Sequence, residues 1–355
     1  MTPPIGYQQI IARLDEQGIA HASIPLANGT TLVAMALGGR IFAFLPNREE
    51  CLYWVNPAFA DPQAFARLVR DKEWNIGGDR VWVGPEIQFI IQERSAEVGR
   101  SMGAVPPAMD PGAFTLEQTE PGAWKLAQTM TLDAYCIAEG TVSLQLDRTV
   151  RPLDDPLAGT GISEGVWFAG YEHQIALRRI GGDPIPASWW SVTNLHAGGD
   201  VLIATLPGVT YDDFIEPAPA ELHEMQPGYV RARLTGDSWY KTGYAARQVL
   251  GRYAYLHQTS PDDGYLLVRA FYSNPAGRYL EEPAHHRGHN GHSVFVYNDD
   301  GRFGGFGEFE CMGAAIGGPG DPAGCLDRVS LWIYAGEPAP LKQVVRALLG
   351  TNFDD

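Results

Sequence analysis

The chain is 355 residues long, 45% hydrophobic and 19% charged, with a formal net charge of −16. That balance supplies ample apolar side chains for a large core. It argues against nucleic acid, whose phosphates need Lys and Arg, and against anionic membrane surfaces, and suits a neutral or cationic ligand.

The opening MTPPIGYQQIIARLDEQG has no basic region followed by an apolar run, so no signal peptide is expected. No apolar run approaches the ~18 residues of a membrane span. Residues 1–29 read as a helical lead-in, with Ile10, Ile11 and Leu14 at helical spacing and Gly18 as the stop. DPQAFARLVRD (61–71) starts with an Asp N-cap and a first-turn Pro, and Phe65, Leu68 and Val69 form its apolar face. A last helix is predicted over 339–350, with Leu341, Val344, Val345 and Leu348 on one stripe and Gly350 as its end.

Nearly everything between has β character. Short alternating or apolar runs occupy 30–46, 80–92, 124–138, 141–153, 165–180, 187–195, 200–208 and 264–273. Gly, Pro, Asn and Asp clusters separate them, and 41 glycines and 26 prolines fit that punctuation. Strand–helix alternation is missing, so the expected fold class is all-β: a large antiparallel sandwich formed by residues 1–355 as one domain. Cys51, Cys136, Cys311 and Cys325 are far apart and form no CxxC pair. Reduced thiols and a cytoplasmic location are the expectation.

Residues 75–86, NIGGDRVWVGPE, pose the functional question. Gly77 and Gly78 allow a hinge that other residues resist. On a strand, Arg80, Trp82 and Gly84 share one face, and Val81 and Val83 the other. A guanidinium beside an indole suits a sugar, whose ring stacks and whose hydroxyls accept. The competing reading is a core tryptophan with a structural Arg–Glu pair involving Glu86.

NIGGDRVWVGPEIQFII resembles the GGEDRFWLGPEGGQF type of segment in a bacterial family of the galactose-mutarotase-like superfamily. VFVYNDDGRFGGFGEFECMGAAI (294–316) resembles that family's Tyr-Asn-Asp-Gly turn and Glu-x-Glu strand. SWYKTGYAARQVLGRY (238–253) is similar to its lysine-containing segment. The resemblance spans roughly residues 30–335. It implies a β-supersandwich whose concave sheet faces carbohydrate; the residues expected to bind substrate are Arg80, Trp82, Glu86, Lys241 and Asn298.

Mutarotase-type chemistry needs a base for the anomeric hydroxyl and an acid for the ring oxygen. The superfamily's late-strand base points to Glu308 and Glu310, which are two apart and share a strand face. Proximity of like charges raises one carboxyl's pKa; the alternative is that both hold Arg or Lys on neighbouring strands. For the acid, His173 among aromatics comes first and His196 before a Gly-Gly turn second. The chain departs here from the superfamily's Asn-x-x-x-His pattern, since Leu177 follows His173 by four.

EEPAHHRGHNGH (281–292) gathers His285, His286, His289 and His292. It reads as a rim loop that contacts ligand through His289 or His292, or else as a divalent-metal site completed by Glu281 or Glu282. Otherwise no cofactor is expected. Arg247 and Arg252 join Lys241 as groups that would meet a sugar acid. The expected function is a proton-transfer enzyme (epimerase-, mutarotase- or lyase-like) acting on a free sugar or sugar acid through a Glu/His pair. The alternatives are a non-catalytic carbohydrate-binding protein and a metal-assisted isomerase or lyase using the histidine loop. The partner is a small-molecule carbohydrate; the oligomeric state is not legible.

Overall fold

The computed structural model describes residues 4–46, 48–351 and 353. Residues 1–3 of the expected lead-in lie outside them. Two large antiparallel sheets dominate. The nine-stranded sheet runs, edge to edge, through His21–Pro25, Thr31–Met35, Arg40–Phe44, Asp79–Gly84, Ser188–His196, Phe306–Met312, His292–Asn298, Tyr240–Ala245 and Tyr211–Asp213. The ten-stranded sheet runs through His223–Gln226, Tyr229–Arg233, Asp200–Thr205, Val249–Ser260, Asp263–Phe271, Gly324–Gly336, Trp167–Gly182, Gly140–Pro152, Ala123–Ala134 and Thr115–Glu120. A small hairpin, Ile91–Glu93 with Met102–Gly103, stands apart.

Alternation explains how the sheets pack. Val81 and Val83 point inward with Phe309 and Cys311, and meet Leu146, Ile175, Leu177 and Leu331 of the ten-stranded sheet in one buried cluster. The outer face of the ten-stranded sheet is covered by the Pro338–Leu349 helix. Its Leu341, Val344, Val345 and Leu348 pack on Leu202, Ala254, Leu266 and Val268. On the nine-stranded sheet the Tyr7–Glu16 and Pro62–Arg70 helices close only one end of the outer face, where Tyr7 meets Phe44 and Phe59 meets Phe42 and Phe65. Among the described residues no long helix lies over its central strands, and a hollow forms there.

The helices follow their signals. Tyr7–Glu16 buries Ile10 and Leu14, and in Pro62–Arg70 the Asp61 carboxylate accepts from Ala64 N at 2.6 Å. Gly350 ends the last helix at φ 69°, a left-handed conformation that Gly adopts freely. No helix among the described residues is long and apolar enough to cross a membrane. The expected 80–92 strand is interrupted. Pro85 has no N–H for the ladder, so the strand ends at Gly84 and Glu86–Phe89 turn into a short helix. The hinge before it is real: Gly77 and Gly78 have φ of 93° and 77°, and a Cβ on Gly77 would lie 2.3 Å from Trp54 O.

Between the sheets lies a buried polar knot centred on Asp79. Its carboxylate meets Arg148 Nη2 at 3.0 Å, His173 Nε2 at 3.0 Å, Tyr171 OH at 2.8 Å and Arg269 Nη2 at 3.4 Å. Asp79 belongs to one sheet and the other four residues to the other, so the knot ties the layers together. This corrects the expectation for His173. It shares strand parity with Tyr171, Ile175 and Leu177, all fully buried, and therefore faces the core. Arg148 Nε donates to its Nδ1 at 2.8 Å, which places the ring's own proton on Nε2, facing Asp79. Burial, then the Arg148 charge, pushes its pKa down to about 4, so the ring is neutral and locked.

Candidate functional site

Strand pairing aligns the outward residues of the nine-stranded sheet in rows. Trp82 opposes Trp190, and Trp190 opposes Met312; Arg80 opposes Val192, then Glu310 and Phe295. Asn194 opposes Glu308, then Tyr297 and Lys241. Residues directly across from one another share a face, so these side chains line one concave surface. Above it lies a cavity of about 580 Å³ whose lining includes Arg80, Trp82, Glu86, Trp190, Lys241 and Glu308. Its walls come from the short helix and hairpin after Gly84, the Phe214 loop, the 281–285 segment and the 302–306 turn.

Each cation on the floor has an aromatic beneath it and a carboxylate beside it. Arg80 lies 4.1 Å over the Trp82 ring. It donates to Glu308 Oε1 at 2.9 Å and Asn194 Oδ1 at 2.6 Å, and Asn194 Nδ2 also donates to Glu308 Oε1, at 2.9 Å. Lys241 Nζ lies 4.4 Å over Trp190 and donates to Glu86 Oε2 at 2.8 Å, with Glu310 Oε2 at 3.8 Å. The indoles are fixed from behind. Trp82 Nε1 donates to Asp110 at 2.6 Å, and Trp190 Nε1 to Glu310 at 2.8 Å. Glu86 reaches the cavity because its short helix is pinned: Gln88 Oε1 accepts from Ile137 N at 2.7 Å, and the Glu281 carboxylate accepts from Glu86 N.

The buried carboxyls are perturbed. Burial first, then the Glu86 charge, pushes Glu281 up to about 8 against the pull of Lys241. Burial pushes Glu310 up to about 7; Lys241 opposes this and Glu308 adds to it. Burial works against the Lys241 charge, but Glu310, Glu86 and Glu281 together outweigh it and hold the amine above its ordinary value.

The structure thus brings Arg80, Trp82, Glu86, Lys241 and Glu308 to one cavity, and leaves other expected residues elsewhere. Glu310 shares the outward face of Glu308 but is fully buried behind Trp190 and Lys241. His196 ends its strand beside a different depression, with Nε2 2.9 Å from Cys51 O, so it does not face Glu308. Asn298 is not on the cavity wall. Its Oδ1 accepts from Thr235 N and Gly236 N at 2.9 and 3.1 Å, bracing the turn that leads to Trp239. His289 and His292 are held by Asp212, each at 3.0 Å, and are not on the cavity wall; of the loop histidines, His285 lines it. Among the described residues no group of three or more His, Cys, Asp and Glu side chains could hold a metal ion. Lys241 stands apart from Arg247 and Arg252, which do not reach the wall.

Sequence reading missed Trp239, Arg302 and Glu281 as wall residues. Trp239 carried a signal, because it stands two residues before Lys241 and alternation puts both on one face. Glu281 was weighed only as a metal ligand. Trp190 faces the cavity, and Trp189 turns inward to donate to Asp327 at 2.6 Å, as adjacency on a strand demands.

No protein-family profile matches the chain, and no curated protein matches it in sequence. Solved structures do match. A candidate aldose 1-epimerase from Escherichia coli K12 aligns with a TM-score of 0.51 at 12% identity, covering 89% of this chain and 99% of that one. A galactose mutarotase-like protein from Lactobacillus casei ATCC 334 aligns with a TM-score of 0.50 at 10% identity, covering 89% and 100%. The fold is the galactose-mutarotase-like one.

Proposed function

We propose that the protein binds a small saccharide in the cavity over the nine-stranded sheet and moves a proton at it, as an epimerase- or mutarotase-like enzyme with Glu308 as the base. The observation that carries this reading is the convergence of Arg80, Trp82, Trp190, Lys241 and Glu308 on one hollow of about 580 Å³. An aromatic-walled hollow with a few placed polar groups is the usual form of a small-molecule site. The indoles supply stacking faces for the apolar side of a sugar ring. The Arg80–Glu308 and Lys241–Glu86 pairs each set a donor beside an acceptor, the pattern needed by neighbouring hydroxyls. The fold shared with a candidate aldose 1-epimerase supports the same chemistry.

Glu308 is the base because it lines the cavity with an oxygen fixed by Arg80 and Asn194. Glu310 is sealed beneath Trp190. A second reading, binding without turnover, draws on the same fixation, since a carboxylate so engaged also serves as a plain hydroxyl acceptor.

One NMR experiment separates the two. A panel of free sugars and sugar acids is titrated into the protein, with binding read from saturation transfer and anomeric exchange from exchange spectroscopy. Turnover by wild type, and a loss of about 100-fold or more in Glu308→Gln, is the expected result. Binding without accelerated exchange reduces the protein to a binding module, and the absence of binding removes the saccharide reading.

A further inference from the structure

We propose that Glu281 is the proton donor that works with Glu308 in the cavity. The proposal rests on the proton-transfer reading above and supplies the acid that the two expected histidines do not.

The geometry sets two chemical ends. Lys241 starts two strands from Glu308, with Tyr297 between them in the row, but its side chain reaches back, so that Nζ lies 4.4 Å over Trp190 and 3.8 Å from Glu310, the second residue after Glu308 on the same strand. Arg80 marks the Glu308 end. Lys241 holds Glu86 there, and the Glu86 amide donates to Glu281, so Glu281 stands toward the Glu310 end of the strand that carries Glu308. A pyranose whose C1 lies between these ends turns its anomeric hydroxyl to Glu308 and its ring oxygen, bonded to the same carbon, to Glu281.

Glu281 is 1% exposed and lines the cavity. Among the described residues no cationic side chain lies within ion-pair distance of it, in contrast to Glu86, Glu282 and Glu308. The groups facing it are Glu86 from the short helix, Lys241 with Glu310 behind it, Glu282 paired to Arg94, and His292 near its backbone. With a value near 8, the carboxyl carries its proton at neutral pH. Other protic groups on the wall serve poorly. Lys241 is held charged, burial and Asp299 raise Tyr297 above its ordinary value, and His285 is lowered, by burial first and then by His286. A carboxylic acid and a carboxylate in one site divide the two roles by environment.

The step balances. Glu308 takes the proton of the anomeric hydroxyl as its C–O bond becomes C=O. The bond from C1 to the ring oxygen breaks with its electron pair going to that oxygen, which takes the Glu281 proton. After rotation at C1 the ring closes on the other face; the Glu281 carboxylate recovers the proton and Glu308 returns its own to the new hydroxyl. No redox partner is needed.

Glu281→Gln keeps the acceptor that receives the Glu86 amide, so the site stays assembled. The expected result is an exchange rate about 100-fold lower or worse, with saccharide affinity within about threefold of wild type. The fall of wild-type rate above about pH 8 should also disappear from the variant's residual activity. Infrared difference spectra between wild type and E281Q supply a second readout, a carboxyl that titrates near 8. Exchange lost in E308Q but intact in E281Q overturns the donor role and leaves the saccharide reading standing. A Glu281 carboxyl titrating in the ordinary carboxylate range overturns it as well. A wild-type protein that exchanges no sugar overturns both.

Discussion

Asp79 and Arg80 are neighbours on one strand and belong to two different worlds. Asp79 faces the space between the sheets, where Arg148, Arg269, His173 and Tyr171 close around it. Arg80 faces outward, where Glu308 and Asn194 hold one side of it and the cavity lies on the other. Both residues are at least 98% buried and both sit in charged networks. Burial and charge alone therefore do not mark a site. The inner network draws partners from two sheets and has a neutral histidine with a fixed tautomer. The outer one draws its partners from one sheet and short loops, and its carboxyls at Glu281 and Glu310 remain pushed upward because no second layer compensates them. Perturbed groups beside a hollow are what a reactive site needs.

The sharpest way to break this comparison is to remove one carboxylate from each side. Asp79→Asn leaves Arg148 and Arg269 without their buried counter-charge and is expected to cost about 3–5 kcal/mol of stability. Urea unfolding of the variant measures it. Glu308→Gln is expected to cost less, about 1–2 kcal/mol, because the amide oxygen still accepts from Arg80 and Asn194 and cavity water reaches the rest. Equal costs would mean that the outer network is a second structural knot rather than a site.

The pH dependence of folding sharpens it next. Glu310 has its carboxyl raised from 4.5 to about 7 in the folded protein. Between those values the folded state binds the extra proton, so this group makes stability fall as pH rises from about 4.5 to about 7, and adds no further slope above. Glu310→Gln is expected to remove that decline, flattening the melting temperature across the window and leaving the variant relatively better at pH 8. His173, lowered to about 4, works in the opposite sense: its share of stability grows as pH rises from 4 to 6.5. Melting curves at several pH values for the wild type and Glu310→Gln separate the two. An unchanged slope in the variant would show that Glu310 is ionised in its pocket.

Much of the frame was legible in the sequence. The strand runs, the capped 61–71 helix and the Gly-terminated 339–350 helix rest on local chemistry, and local chemistry is written residue by residue. The shared face of Arg80 and Trp82 followed from period two alone, as did that of Glu308 and Glu310. What period two does not reveal is which face is wet. His173 looked like a site residue among aromatics, yet Ile175 and Leu177 at the same parity already pointed it to the core. Glu281 lies in an irregular segment without a period to read, and its carboxyl is tied to the amide of Glu86, 195 residues away along the chain. Glu86 itself left the strand because Pro85 ended the ladder, a break visible in the sequence but read as the end of a strand rather than the start of a helix.

The smallest expected effect concerns the rim. Trp239 lines the cavity with Arg302 stacked 3.7 Å over its ring, and Arg302 pairs with Asp300 at 2.8 Å, with 42% of its side chain exposed. An exposed stack of this kind is worth about 0.5–1 kcal/mol. Trp239→Ala is therefore expected to lower the unfolding free energy by no more than about 1 kcal/mol, and, as the loss of one rim wall, to weaken saccharide binding only a few-fold, readable by calorimetric titration. Trp82→Ala removes an indole that carries Arg80 and is anchored by Asp110, so it should cost far more in both measurements. If the two variants lose equal affinity, the ligand sits at the mouth rather than on the floor, and the division between a sealed inner layer and an open outer one no longer locates the chemistry at Glu308.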